Sequence, residues 1–461
     1  MHLNIQILLL LLIFNLAANS QEKNIEIQEY KFITDSIFSK SLEGFKTVKI
    51  FLPQNYSKNE KYPVIYTMDA DWMFEPTSLQ SKILMDFDVI PPSIVVGVFH
   101  KNRNNDIGID WKTGDFSLSS SKFYDFLTKD LINKINESYQ TSGFNVLLGH
   151  SNSATFCEEV LTQKNQPFNG FVALSQNLFG NQLNELIEFS NSRLEKPIFY
   201  FVASGKRDAT PRLKTGFKID SIFKSNTNKI IFFKHKLYDA DHNGIVGQAL
   251  TNGITHIFSA YKHYNDWDEK LIDSLEVNNI SPMDFIKEHS KNMKNIYGIN
   301  FKPNQNDFSL MHAMSKSDKD IEAIMQYEIK QIGISKDFYA TYAQYYEYAK
   351  SYEKALEFWN KNLEMSQIKD LTFFYYRRPL QLLYERMKQP KRAIDYAKLG
   401  MNNHPKLSQD FNWWIAKIVA ESKIEKQTGI DAIKNYINNY TNESPIDLKT
   451  AKKMLQTLKE L

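Results

Sequence analysis

The sequence predicts a doubly wound α/β sheet followed by an all-α unit. From about residue 45 to 260, short β-branched or apolar runs alternate with longer amphipathic stretches, the rhythm of strands joined by helices over a sheet. From about residue 266 the strand runs stop and helical periodicity takes over. At 461 residues, 42% of them hydrophobic, the chain is long enough for two or three domains with real cores.

The first twenty residues differ in kind. Residues 7–14 are an unbroken apolar run, and Ala18, Asn19 and Ser20 set small residues before Gln21, where a signal peptidase would cut. The stretch before the run carries His2 and no Lys or Arg, a departure from the usual leader. Residues 1–20 are therefore expected to be a signal peptide, and the mature chain periplasmic or secreted. The run falls short of the about 20 residues a membrane helix needs, and no other segment is long and apolar enough, so no transmembrane segment is expected in the mature chain. Fifty-six Lys and Arg against fifty-three Asp and Glu leave a net charge of +3. So weak a field implies neither a nucleic-acid partner nor an anionic membrane surface. The single cysteine, Cys157, cannot close an intramolecular disulfide and is expected to pack within a helix.

Strands are predicted over residues 47–52, 64–68, 94–98, 146–148, 171–174, 198–203 and 229–233, with a helical pattern over 123–132. In such sheets the ligand site lies beyond the carboxyl ends of the strands, so the residues just after each run carry the chemistry. After the fourth run comes Gly149-His150-Ser151-Asn152-Ser153-Ala154. A tight strand-to-helix turn that lifts a serine hydroxyl out of the sheet leaves room only for small neighbours, and Gly-x-Ser-x-Gly is the usual form. Here Ser153 replaces the last glycine.

A serine hydroxyl needs a base to take its proton and a carboxylate to orient that base. The run 198–203 leads into Ser204-Gly205-Lys206-Arg207-Asp208, and the run 229–233 is followed by Tyr238-Asp239-Ala240-Asp241-His242-Asn243-Gly244. Ser151, Asp208 and His242 thus follow in the order nucleophile, acid, base. Asp239 and Asp241 remain rival acids. His150 is expected to pack, its side chain turned away from the base, and His235 to be structural. His242 with Asp239 and Asp241 could ligate a cation, but no second histidine stands at ligand spacing, so neither metal nor cofactor is expected. For the oxyanion, the backbone N–H of Asn152 and of Asp71, in the loop after 64–68, are the candidates.

The segments FSKSLEGFKTVKIFLPQNY, YPVIYTMDADW, IVVGVFHKNRNNDIG, LLGHSNSA and DHNGIV, in this order, resemble the esterase family that includes enterochelin esterases and esterase D, over about residues 30 to 262. The resemblance implies an α/β-hydrolase fold, a Ser151 nucleophile, a His242 base and Asp208 at the acid position. Two departures stand out: Ser153 where glycine is usual, and Ala70 where an Asp-Gly pair is common. The implied activity is hydrolysis of a small-molecule or glycan ester through an acyl-enzyme. An acyltransferase with the same site and a catalytically silent binding protein are the alternatives.

The organisation expected is a hydrolase domain over 21–265, a helical linker over 266–310 and a tetratricopeptide-like domain over 311–461. Ala323, Ala355 and Ala393 begin similar segments at intervals of about 32 and 38 residues, bracketing the roughly 34-residue tetratricopeptide period. Residues 284–365 also resemble the tail of some exported bacterial members of that esterase family. Tyr345, Tyr348, Phe374 and Tyr375 could anchor a protein or peptide partner there; equally, most of these aromatics could be core.

Overall fold

A computed structural model describes residues 32–226, 228–365 and 372–461. The leader expected over residues 1–20 lies outside them. The chain divides into two compact units between Ser259 and Ala260, ahead of the boundary read at 265. The reason is polar: His263 Nδ1 lies 2.6 Å from Asp307 Oδ2 and the Tyr264 N–H donates to Asp307 Oδ1 at 2.9 Å, tying this segment to the second unit.

The first unit holds an eight-stranded sheet in the order β1-β2-β4-β3-β5-β6-β7-β8. Its strands are β1 (Ile33–Ser39), β2 (Gly44–Phe51), β3 (Tyr62–Thr67), β4 (Ile94–Val98), β5 (Thr141–His150), β6 (Gly170–Leu174), β7 (Ile198–Gly205) and β8 (Ile231–Tyr238). The β1–β2 and β2–β4 pairs are antiparallel and all later pairs parallel. Every residue of β3, β4, β6 and β7 is buried, which is why these strands read as continuous apolar runs: helices cover both faces.

The two edge strands gave the weaker sequence signal. In β1 only Ile37 and Ser39 are buried, and no run predicts it. β8 alternates half-buried and exposed positions and continues to Tyr238, because Lys234 and Lys236 occupy the open face of an edge rather than ending the strand. The helical pattern over 123–132 is interrupted: Leu118–Asp125 passes into a π-helical turn at Phe126–Leu131 before Ile132–Ser138 resumes.

The second unit is helical from Glu269–Val277 to Leu448–Glu460. The stretch expected as a linker contains two of its helices, Glu269–Val277 and Pro282–Tyr297, and the start of a third, Gln305–Ala313; Leu275 and Leu310 form an apolar cluster with Met314 just past its end. Ala343 and Ala355 are fully buried where Phe338–Tyr348 packs on Tyr352–Met365, so small side chains set a close helix approach. Tyr342, Tyr346, Trp359, Phe411 and Trp414 belong to one core cluster. Of the four aromatics offered as anchors, Tyr348 and Phe374 are exposed (79% and 66%), whereas Tyr345 stacks on His312 at 3.6 Å and Tyr375 is half-buried. Among the described residues no helix is long and apolar enough to cross a membrane.

Cys157 is buried in the helix Asn152–Thr162, as expected. Its neighbour Glu158 is the less ordinary residue: its carboxyl is enclosed in the core, hydrogen-bonded through Oε2 to the Tyr200 hydroxyl, and burial pushes its pKa from 4.5 up to about 8. An acid raised on folding binds its proton more tightly in the native state than in the unfolded chain. Its contribution therefore favours the fold fully below pH 4.5 and is lost as pH rises through about 8. The melting temperature of the full chain should accordingly fall between about pH 5 and about pH 8.5, and Glu158→Gln should flatten that fall. Equal slopes in the two proteins would show that the carboxyl is already ionised in the native state.

Candidate active site

Four loops at the carboxyl ends of β5, β6, β7 and β8 build the site. The parallel ladder extends one step past the strands: the Ser151 N–H donates to Leu174 O at 2.9 Å, Ser175 N–H to Ala203 O at 2.9 Å, and Lys206 N–H to Tyr238 O at 2.8 Å. These bonds hold the loops in register, so residues far apart in sequence line up along one sheet edge.

Ser151 occupies the sharp turn between β5 and the helix Asn152–Thr162, at φ 63 and ψ −123. A non-glycine residue at positive φ is strained, by about 1–3 kcal/mol, and persists only where its surroundings fix it. Gly149 allows the turn, since a Cβ there would lie 2.6 Å from the Ser153 carbonyl carbon and oxygen. At this bend the turn exposes the hydroxyl: His242 Nε2 lies 2.9 Å from Ser151 Oγ.

On the other side of the ring, His242 Nδ1 faces Asp208 at 3.1 Å (Oδ1) and 3.2 Å (Oδ2). Burial raises the Asp208 pKa, but hydrogen bonds from Ser175, His242 and the Ala209 N–H outweigh it and leave the carboxyl below its usual value. Asp208 is therefore anionic across the neutral range and able to accept a proton-bearing Nδ1 of His242. The rival carboxylates are engaged elsewhere. Asp239 is exposed and pairs with Arg207 at 3.2 Å, and Asp241 accepts the Gly244 N–H at 2.7 Å, at the start of the helix Gly244–Ile257. His235 lies within β8, its Nε2 3.0 Å from Ser204 Oγ. No group of three or more metal-ligating side chains occurs among the described residues.

His150 differs from expectation. Its ring centroid lies 4.7 Å from that of His242, and its Nε2–H donates to the His242 carbonyl at 2.7 Å. The strand alternation that turns it from the nucleophile brings it under the base loop instead. Burial pushes its pKa down to about 4, so it is a neutral donor that holds the loop after β8. The Trp72 ring packs edge-on against it at 5.3 Å.

Ser153, at the place of the missing glycine, has its hydroxyl committed within the fold. The hydroxyl donates to Asp69 Oδ2 and accepts from Arg103 Nη2 at 3.0 Å. Arg103 in turn forks onto Asp69, Nε to Oδ1 at 2.5 Å and Nη2 to Oδ2 at 3.0 Å, and reaches the His150 carbonyl at 3.2 Å. A bidentate pair of this kind, its carboxylate buried and its guanidinium partly exposed, is geometrically specific, and it ties the loop after β3 to the turn at Ser151. Asp69 sits at φ 55 before the helix Ala70–Asp86, and its carbonyl accepts the N–H groups of Trp72 (3.1 Å) and Met73 (2.9 Å). Among the described residues, that leaves the N–H groups of Ala70 and Asp71 without a backbone acceptor in this first turn. Asn152 opens its own helix, where an N–H likewise has no carbonyl four residues back.

Sequence reasoning missed Ser175, Arg212, Asp69 and Arg103. Ser175, at φ 58 after β6, has its hydroxyl bonded to Asp208 Oδ2 and 2.9 Å from His242 Nδ1. The residue after the β6 run was legible as a strand-end position, and that was the signal available for it. Arg212 donates through Nη1 to the Ser175 carbonyl at 2.5 Å and through Nη2 to Asn152 Oδ1 at 3.1 Å.

Residues 39–186 match the family described as Putative esterase. Among solved structures, an uncharacterised protein from Capnocytophaga ochracea is similar, with 17% identity, 76% of this chain and 99% of that chain covered, and a TM-score of 0.62. An IroE-like serine hydrolase from Shewanella oneidensis is similar at 21% identity, covering 65% of this chain and 95% of its own, with a TM-score of 0.50. At such identities the likeness is one of fold. The comparison with curated proteins finds no match.

Because the Ser175 hydroxyl bridges Asp208 and His242 while Asp208 also reaches Nδ1 directly, Ser175→Ala should lower kcat for an activated ester by roughly tenfold, the worth of about one hydrogen bond to a charged group. Loss as complete as for the Asp208 variant would make Ser175 a full member of the proton relay; no change would remove it from the site.

Proposed function

We propose that this chain is a serine esterase acting through a Ser151-His242-Asp208 triad. The observation that carries the reading is the continuous line of polar contacts from Ser151 Oγ through the His242 ring to Asp208, at the strand ends of an α/β fold whose residues 39–186 match an esterase family. Ser151 Oγ attacks the ester carbonyl as His242 Nε2 takes its proton. The tetrahedral oxyanion is met by the Asn152 N–H and by the Asp71 N–H, with the neighbouring Ala70 N–H as the other candidate in that turn. Collapse breaks the bond to the leaving alcohol, which receives the proton from His242. Water, deprotonated by the same ring, then hydrolyses the acyl-enzyme. Asp208 stabilises the imidazolium and fixes the tautomer with Nδ1–H. None of these steps draws on a metal or cofactor.

Ser153 supports a live site rather than a silent one. The doubt its presence raises is steric, and its hydroxyl is taken up by Asp69 and Arg103, clear of the nucleophile. The substrate class is a small-molecule ester of the siderophore, acyl or glycan type. The leader-like residues 1–20 support an exported enzyme. The recurring alanine-centred segments support reading the second unit as a tetratricopeptide-like accessory.

A fluorophosphonate probe should label the wild-type chain and leave Ser151→Ala unlabelled; labelling of the alanine variant would overturn the nucleophile. Ser151→Ala and His242→Ala should each reduce hydrolysis of p-nitrophenyl acetate by several powers of ten. Asp208→Asn should cost up to about 10⁴ in kcat by stabilising the wrong tautomer, and Asp239→Asn and Asp241→Asn should be mild. A severe Asp239→Asn or Asp241→Asn with a mild Asp208→Asn would relocate the acid.

A further inference from the structure

Arg212 is an expensive residue for its position. It lies half-buried in the first turn of the helix Thr210–Lys224, where the aligned peptide dipoles repel a cation. Burial disfavours its charge further and lowers its pKa. Both of its described hydrogen bonds go to neutral acceptors, the Ser175 carbonyl and Asn152 Oδ1. The carboxylate that acts on it electrostatically, Asp208, is committed to Ser175, His242 and the Ala209 N–H.

Its neighbours in the same shallow pocket are balanced. Arg212 shares that pocket with Arg207, Asp208, Asp241, His242 and Asn243; Arg207 pairs with Asp239, and Asp241 caps a backbone N–H. Arg212 is thus the pocket's cation without an ion pair among the described residues. It stands one hydrogen bond from the residue that follows the nucleophile. A neutral donor could serve as a strut to the Ser175 carbonyl; the charge is offset only through space, by an Asp208 carboxylate whose hydrogen bonds go to other groups.

We propose that Arg212 receives an anionic group of the substrate, so that the esters this enzyme prefers carry a carboxylate or similar anion a few bonds from the scissile carbonyl. The inference rests on the esterase reading above and names the substrate class of that site. A guanidinium offers several N–H donors in one plane and fits a carboxylate edge-on.

Two matched pairs test it. p-Nitrophenyl hemisuccinate against p-nitrophenyl butyrate places the anion on the acyl side, and 4-acetoxybenzoate against phenyl acetate places it on the alcohol side. In one of the pairs the wild-type kcat/KM should favour the anionic ester by about tenfold or more, a magnitude expected for a hydrogen bond to a charged group. Arg212→Gln should abolish that ratio, and Arg212→Lys should retain part of it. Added salt should lower the ratio for wild type without slowing the neutral ester, a check that needs no variant. Equal losses on both members of each pair in Arg212→Gln, or a salt-independent ratio, would reduce Arg212 to a strut and overturn the proposal. Should the wild type hydrolyse none of the four esters, the esterase reading falls on its own. Thermal stabilisation by monomethyl succinate, expected in wild type and absent in Arg212→Gln, then decides Arg212 separately.

Discussion

The structure turns on one strained residue. Ser151 holds a backbone conformation that few non-glycine residues adopt, and the chain around it is arranged to keep it there. Its N–H is fixed by the Leu174 carbonyl and its carbonyl by the Thr155 N–H, at 2.9 and 3.1 Å. Gly149 permits the following helix to fold back against the strand. Relaxing the turn by a few tenths of an ångström would move the hydroxyl relative to the His242 ring, which arrives from another strand. The strain is therefore tolerable only because a buried parallel sheet supplies a frame that does not yield.

Around that turn, the polar groups divide the labour by charge and burial. Beneath it, Asp69 and Arg103 form a bidentate pair that takes in the Ser153 hydroxyl and the His150 carbonyl. With its carboxylate buried and its guanidinium partly exposed, the pair's evident use is to specify geometry through its fixed two-point contact. Above it, Ser175 and Arg212 connect three loops: the hydroxyl of Ser175 joins Asp208 and His242, and its carbonyl receives the guanidinium that also holds Asn152. The neutral His150 closes the arrangement by supporting the base loop from below. Removing any one of these residues leaves a charged or buried partner unsatisfied.

The helical unit has a different logic. Its stability comes from aromatic and alanine packing between successive helices, with Tyr342, Trp359 and Trp414 in a common core. Most of its conspicuous aromatics are spent on that packing, and Tyr348 and Phe374 are the two of those singled out that remain exposed. Its polar contacts serve the same end: Tyr342 donates to Glu328 at 2.7 Å and lies 3.2 Å from His312, satisfying groups that burial would otherwise strand.

Much of this was legible in the sequence, for local reasons. Fully buried parallel strands must be continuous apolar runs, so β3, β4, β6 and β7 announced themselves, and the order of Ser151, Asp208 and His242 followed from reading the residues just past each run. β1 and the end of β8 were not legible, because an edge strand buries one face or less and its pattern is diluted by charge. Nor were Ser175, Arg212, Asp69 and Arg103. Nothing in a serine after a strand, or an arginine in a helix's first turn, distinguishes it from a solvated residue until the loops are brought together. Which carboxylate meets His242 was likewise settled by folding: Asp239 and Asp241 are near it in sequence, but the ladder between β7 and β8 presents Asp208 to Nδ1 and leaves the nearer two at the surface. Sequence determines which segments must be strands and where chemistry can sit, since burial and period act locally; partners across strands are decided by register, which only the closed sheet defines.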